Sequence, residues 1–137
     1  TWWTDLENWQ GDVMAVYEAL KSHRRVDTSE TYLYGRSAET FHLSSLAAGK
    51  PELWKGALLF SPTSMPDPAS CKLPKIFVDA GARDRDVLKR LPRYQAQAAA
   101  HGVPVRLLIH ETARHTSWSR TTQRARLENM AEFLENQ

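Results

Sequence analysis

Three features of the sequence predict an α/β fold with a mostly parallel sheet between helix layers. Short apolar runs alternate with helical patterns along the chain, the order that yields parallel strands joined by crossover helices. Each run ends in a polar or turn-rich loop, as a strand buried on both faces does. A serine, an aspartate and a histidine each follow one of these runs, and loops leaving the C-terminal ends of parallel strands share one edge of the sheet.

Thr4 and Glu7 stand at capping-box spacing, and Leu6, Trp9, Val13, Val16, Tyr17 and Leu20 recur at helical spacing. A one-faced helix from about Asp5 to Ser22 is therefore predicted. The polar stretch HRRVDTSE leads into Thr31 to Tyr34, TYLY, rich in the residues that strands favour. Ser37 to Ala48 returns to a helical pattern, and Gly49 with Pro51 supplies its stop. Gly56 to Phe60, GALLF, reads as a buried strand. The following SPTSMPDPASCKLP holds four prolines and is expected to lack regular structure. Lys75 to Ala80 is the next strand, and Gly81 to Asp86 is the loop after it. Val87 to His101 reads as a helix broken or restarted at Pro92 and closed by Gly102. Val103 to Ile109 is a strand with its proline near the start, where the missing N–H is tolerated. The loop HETARHTSW leads to a last helix, about Ser119 to Asn136, with Leu127, Met130, Ala131 and Leu134 as its apolar stripe.

With 137 residues, 42% hydrophobic and 25% charged, the chain has the balance of one globular domain over residues 1–137, without internal repeats. A net charge of +2, from 18 basic and 16 acidic residues, marks neither nucleic acid nor an anionic membrane as partner. Arg114, Arg120, Arg124 and Arg126 read as a solvated helix face. Cys71 is the one cysteine, which excludes an internal disulfide or an all-cysteine metal site, and in its proline-rich loop it is expected to be inert. None of the five histidines has zinc-site spacing, and His23, His42 and His101 read as surface residues. No apolar run approaches the roughly 20 residues that span a bilayer. TWWTDLENW lacks a basic region followed by an apolar block, so the compartment stays open. A start at Thr1 suggests a trimmed, processed or partial chain.

A serine hydroxyl becomes a useful nucleophile when a base takes its proton, and a neutral imidazole does this near pH 7 if a carboxylate fixes its tautomer. Ser37, His115 and Asp84 supply one of each on the same sheet edge. Alone, Ser37 reads as a helix cap; the ordered partners favour a triad. Asp79 and Asp86 compete for the acid role, but the first lies inside a strand and the second stands nearer the next helix, where it can cap. His110 competes with His115, yet it ends a strand and reads as a polar residue satisfied locally. The backbone N–H of Ala38, at a helix N-terminus beside Ser37, is placed to stabilise an oxyanion.

These residues resemble the α/β-hydrolases, in particular the esterase and prolyl-oligopeptidase-like branch. The resemblance rests on GRSAE at Gly35 to Glu39 as a nucleophile elbow, LLFSP at Leu58 to Pro62, VDAGARDRDV at Val78 to Val87 as an acid loop, and GVPVRLLIHETARHTSW as the last strand and histidine loop. It covers nearly the whole chain but only the C-terminal half of that fold, strands 5 to 8. It implies Ser37 as nucleophile, Asp84 as acid and His115 as base, in the family's order. No cofactor is implied. Glu39 stands where the elbow pattern has a second glycine, so its side chain must point out of the turn or pair with a neighbour such as Arg36. The loop that supplies a second oxyanion donor is absent, leaving Ala38 alone.

The expected substrate is a small carboxylic ester. The same residues suit a peptidase of the prolyl-oligopeptidase-like type, while Glu39 and the absent loop both favour a non-catalytic binding or scaffold module. An unrelated doubly wound α/β domain of the receiver or nucleotide-binding kind is disfavoured because no glycine-rich phosphate loop follows any strand. Trp118, just past His115, is the candidate for a pocket wall; Trp2 and Trp3 read as packing against a missing portion. Thr31 to Tyr34 is expected to form an open edge, covered by a second copy, another chain or the missing N-terminal half.

Overall fold

The computed structural model describes residues 6–115 and 118–136. The capping box at Thr4 and the Trp2–Trp3 pair lie outside them. Among these residues the α-helices and strands follow in chain order: α1 (Leu6–Lys21), β1 (Leu33–Arg36), α2 (Thr40–Gly49), β2 (Ala57–Phe60), α3 (Pro68–Cys71), β3 (Ile76–Gly81), α4 (Arg85–Ala100), β4 (Val105–His110) and α5 (Arg120–Glu135). The four strands form one parallel sheet in the order β1-β2-β3-β4. Gly35 lies beside Leu59, Leu59 beside Val78, and Val78 beside Leu107.

Side chains that alternate along each strand divide the core into two faces. Leu33, Ala57, Leu59, Ile76, Val78 and Ala80 point to a larger core shared with Leu43, Leu46, Val87, Leu91 and Tyr94 of α2 and α4. Leu58, Phe60 and Phe77 point the other way, onto Phe133 of α5. The sheet therefore lies between two helix layers, as the strand and helix alternation predicts. Lys75, just before β3, holds the end of α5 by donating from Nζ to the carbonyls of Phe133 (2.6 Å) and Asn136 (2.7 Å).

Several elements depart from expectation for identifiable reasons. The strand predicted at Thr31 to Tyr34 sits two residues later, and Ser37 to Glu39 forms a 3₁₀ turn before α2 begins. The four-proline segment contains a helix, α3, with Pro68 at its first turn and Asp67 capping it by accepting from Ala69 N; a first-turn proline gives up an N–H that would have no partner. Helix α4 runs unbroken through Pro92. Val87 and Leu91 on one side of the proline and Tyr94 and Ala98 on the other are all buried, so one packed face spans the missing hydrogen bond and keeps the halves aligned. In α5 the predicted stripe holds in part: Met130 and Leu134 pack against the core, but Leu127 is 59% exposed and Ala131 is exposed, and Phe133 (5%) is the most buried apolar residue of the helix. Gly102 closes α4 at φ 69°, a conformation that suits glycine. Cys71 is buried, and burial pushes its thiol up from the ordinary value. Among the described residues no helix is long and apolar enough to cross a membrane.

Candidate active site

Strand β1 ends in a sharp bend at Ser37, whose φ is 51°. The left-handed region is uncommon for a residue with a Cβ and costs on the order of 1–3 kcal/mol, so surrounding structure must hold it there. The Ser37 carbonyl is gripped by Thr40 Oγ1 (2.6 Å), Thr63 Oγ1 (3.0 Å) and Thr63 N (3.4 Å). The buried Thr40 hydroxyl also accepts from the amides of Thr63 (3.1 Å) and Ser64 (3.2 Å), tying the bend to the loop after β2. Close approach of α2 to β1 is made possible by Gly35, where a Cβ would stand 2.7 Å from Leu43 Cδ1. Glu39 is exposed and turned back on the strand, its Oε2 accepting from Arg36 N at 3.1 Å. The pairing expected with Arg36 thus goes to that residue's backbone, and the bend keeps its shape.

Asp84 and His115 reach this bend from the ends of β3 and β4. Asp84 caps α4 through Val87 N (3.4 Å), while its other oxygen, Oδ2, bonds to His115 Nδ1 at 2.6 Å. Asp86, the candidate cap, lies instead in the exposed first turn of α4. His115 Nε2 stands 2.7 Å from Ser37 Oγ. A carboxylate is acceptor-only, so Nδ1 keeps its proton and donates it in the bond to Asp84, leaving Nε2 to accept from the serine hydroxyl. The Asp84 side chain is 5% exposed and that of His115 36%, which keeps the ion shielded and the imidazole open to solvent. The histidine loop crosses the acid loop at Gly81, where a Cβ would meet Ala113 O at 2.2 Å, and Arg83 N donates to that same carbonyl at 3.2 Å. Ala38 is exposed, at the start of the helical turn, where the first N–H groups lack intrahelical partners.

Asp79 and His110, the competing acid and base, pair with each other: His110 Nε2 lies 2.7 Å from Asp79 Oδ2, and both are buried. The partner of His110 is therefore across the sheet and not local. Arg126 joins them with a two-pronged contact, Nη2 to Oδ1 at 2.9 Å and Nε to Oδ2 at 3.2 Å. At 14% side-chain exposure it does not belong to a solvated face; Arg124, paired with Glu128 in solvent, does. The signal was helical phase, since Arg126 shares a face with Met130 and Phe133, four and three residues apart in turn. His42 is half-buried, its ring 4.9 Å from that of Trp9, whereas His23 and His101 are exposed as expected. Trp118 lines a cleft of about 460 Å³ with Tyr34, Arg36, Phe60, Arg126 and Leu127.

No protein-family model matches the sequence, and no curated protein does either. Solved structures do. A carboxylesterase from Mesorhizobium loti superposes with a TM-score of 0.65 at 19% identity, covering 91% of this chain and 61% of that one. An S-formylglutathione hydrolase from Agrobacterium tumefaciens gives 0.64 at 16%, covering 88% and 53%. Dipeptidyl peptidase 4 from Porphyromonas gingivalis gives 0.70 at 15%, covering 91% and 22%. The chain thus spans less than two thirds of the length of each.

The Thr40 hydroxyl is expected to carry the bend. Thr40→Val keeps the volume but removes the hydroxyl's bond to the Ser37 carbonyl and the acceptor shared by the Thr63 and Ser64 amides, and should lower unfolding free energy by about 1–3 kcal/mol, while Thr40→Ser retains most of it. Urea unfolding checks this; equal midpoints for the two variants would contradict it.

Proposed function

We propose that this chain, which has a partial α/β-hydrolase fold, is a serine hydrolase acting on carboxylic esters through an acyl-enzyme on Ser37. The carrying observation is the unbroken line of contacts from Ser37 Oγ through His115 to Asp84, at 2.7 and 2.6 Å. Ser37 Oγ attacks the ester carbonyl carbon as its proton passes to His115 Nε2. The imidazolium is stabilised by Asp84, and the developing oxyanion by Ala38 N–H. His115 then protonates the departing alkoxide, releasing the alcohol. Water adds to the acyl carbon with His115 again as base, and collapse returns the proton to Ser37 and frees the acid. General base catalysis contributes about 10²–10⁴-fold, and one oxyanion donor about 10²–10³-fold. A peptide amide is the second substrate class: the same residues serve it, and the fold likeness to a dipeptidyl peptidase favours keeping it. No cofactor takes part in this scheme.

The reading predicts that a fluorophosphonate probe labels the folded chain, that Ser37→Ala and His115→Ala abolish labelling, and that Asp84→Asn slows it about a hundredfold or more. A folded native chain that takes no label would favour a non-catalytic scaffold on the same fold.

Strand β1 ends the sheet, with exposed Tyr34 on it and apolar Val16 and Leu20 of α1 beside it. An unpaired edge with apolar flanks recruits another strand, so we also propose that a second copy, another chain or a preceding part of the same protein covers it. The isolated chain should self-associate as its concentration rises in sedimentation runs; material that stays monomeric and soluble would count against this.

A further inference from the structure

We infer that Trp118, clamped by Arg126 and His110, both bonded to the Asp79 carboxylate, positions His115 for the reaction proposed above. The inference rests on that reading and assigns to the buried Asp79, His110 and Arg126 a task outside the proton transfers themselves.

The imidazole that must meet both Ser37 and Asp84 sits on a loop and is half-exposed, so something other than burial has to orient it. On the N-terminal side the loop is pinned where Ala113 crosses Gly81. On the C-terminal side Trp118 Nε1 donates to the carbonyl of His115 itself, at 3.2 Å. A bond to that carbonyl restrains the peptide plane from which the imidazole hangs.

Trp118 is in turn held on its ring. The Arg126 guanidinium carbon stands 3.8 Å from the ring centroid, and the His110 ring meets it edge-on, with centroids 5.1 Å apart at 84°. Both clamping groups are bonded to one carboxylate, Asp79, which is 0% exposed. A buried ion pair of this kind adds little stability over apolar packing. What a planar guanidinium forked onto a fixed carboxylate does supply is a fixed orientation, and one that presents its flat face to an aromatic ring.

Asp79 and Asp84 both belong to β3 and the loop leaving it. The strand that delivers the acid therefore also anchors the clamp on the base, and the His115–Asp84 contact is set from one element. This differs from a pocket-wall role for Trp118, which would act on substrate affinity and not on the imidazole.

The test separates the two with fluorophosphonate inactivation kinetics on the native chain, Trp118→Phe and Arg126→Lys. Phenylalanine keeps a ring for Arg126 but loses the N–H to His115; lysine keeps the charge but loses the flat fork. Positioning predicts that the saturating inactivation rate falls about tenfold in both, with the half-saturating probe concentration unchanged. The unfolding midpoint of Trp118→Phe should stay at the native value. A raised half-saturating concentration with an unchanged saturating rate would make Trp118 a pocket wall and overturn the inference, as would two unchanged parameters. A native chain that takes no label at all overturns the hydrolase reading itself, and this one with it.

Discussion

A residue with a side chain, turned into the left-handed region at the end of a parallel strand, is the constraint on which the rest of the site depends. Ser37 can hold φ 51° because its carbonyl is bonded from two elements at once, α2 through Thr40 and the loop after β2 through Thr63. Without that grip the serine would relax toward an ordinary helix start and point its hydroxyl along the helix as a cap. With it, the hydroxyl stands clear of the backbone and meets His115. Gly35 belongs to the same arrangement: a Cβ there would stand 2.7 Å from Leu43 Cδ1, and that side chain would have to shift where α2 packs on the strand.

The second requirement is that two loops cross without separating. Gly81 allows this, since any Cβ there would occupy the position of the Ala113 carbonyl. Asp84 is then free to do two things, cap α4 with one oxygen and hold His115 with the other. Strand β3 thus leads into Asp84, the partner of His115, on one side and on the other carries Asp79, which holds Arg126 against the Trp118 ring. The sheet is more than a support for these groups. Its register brings Gly81 beside His110, and from those neighbours the two loops start.

Sequence periodicity carried the strands, their parallel direction and the shared edge, because short apolar runs closed by turns leave few alternatives. The three residues in contact were legible for the same reason: each follows a strand. What was not legible depended on contacts remote in sequence. Pro92 looked like a break because local rules see the missing N–H and not the packed face of Val87, Leu91, Tyr94 and Ala98. Arg126 looked solvated because an arginine in a charge run usually is; its partner Asp79 lies 47 positions away. For Glu39 the pairing with Arg36 was legible, but not that the backbone N–H at the strand end would be the donor. Thr40 carried no signal at all, since a threonine at the start of a helix is commonplace.

The claim that everything else serves is that the Ser37 hydroxyl, in this bend, forms a covalent bond with an acyl group. Mixing the folded chain with p-nitrophenyl acetate, quenching with acid within the first turnover and mapping the peptides tests it most directly. The account predicts one acetyl group, on the peptide containing Ser37 and absent from His115→Ala. Ester turnover with an unmodified Ser37, or acetyl found only on lysine or histidine side chains, would contradict it.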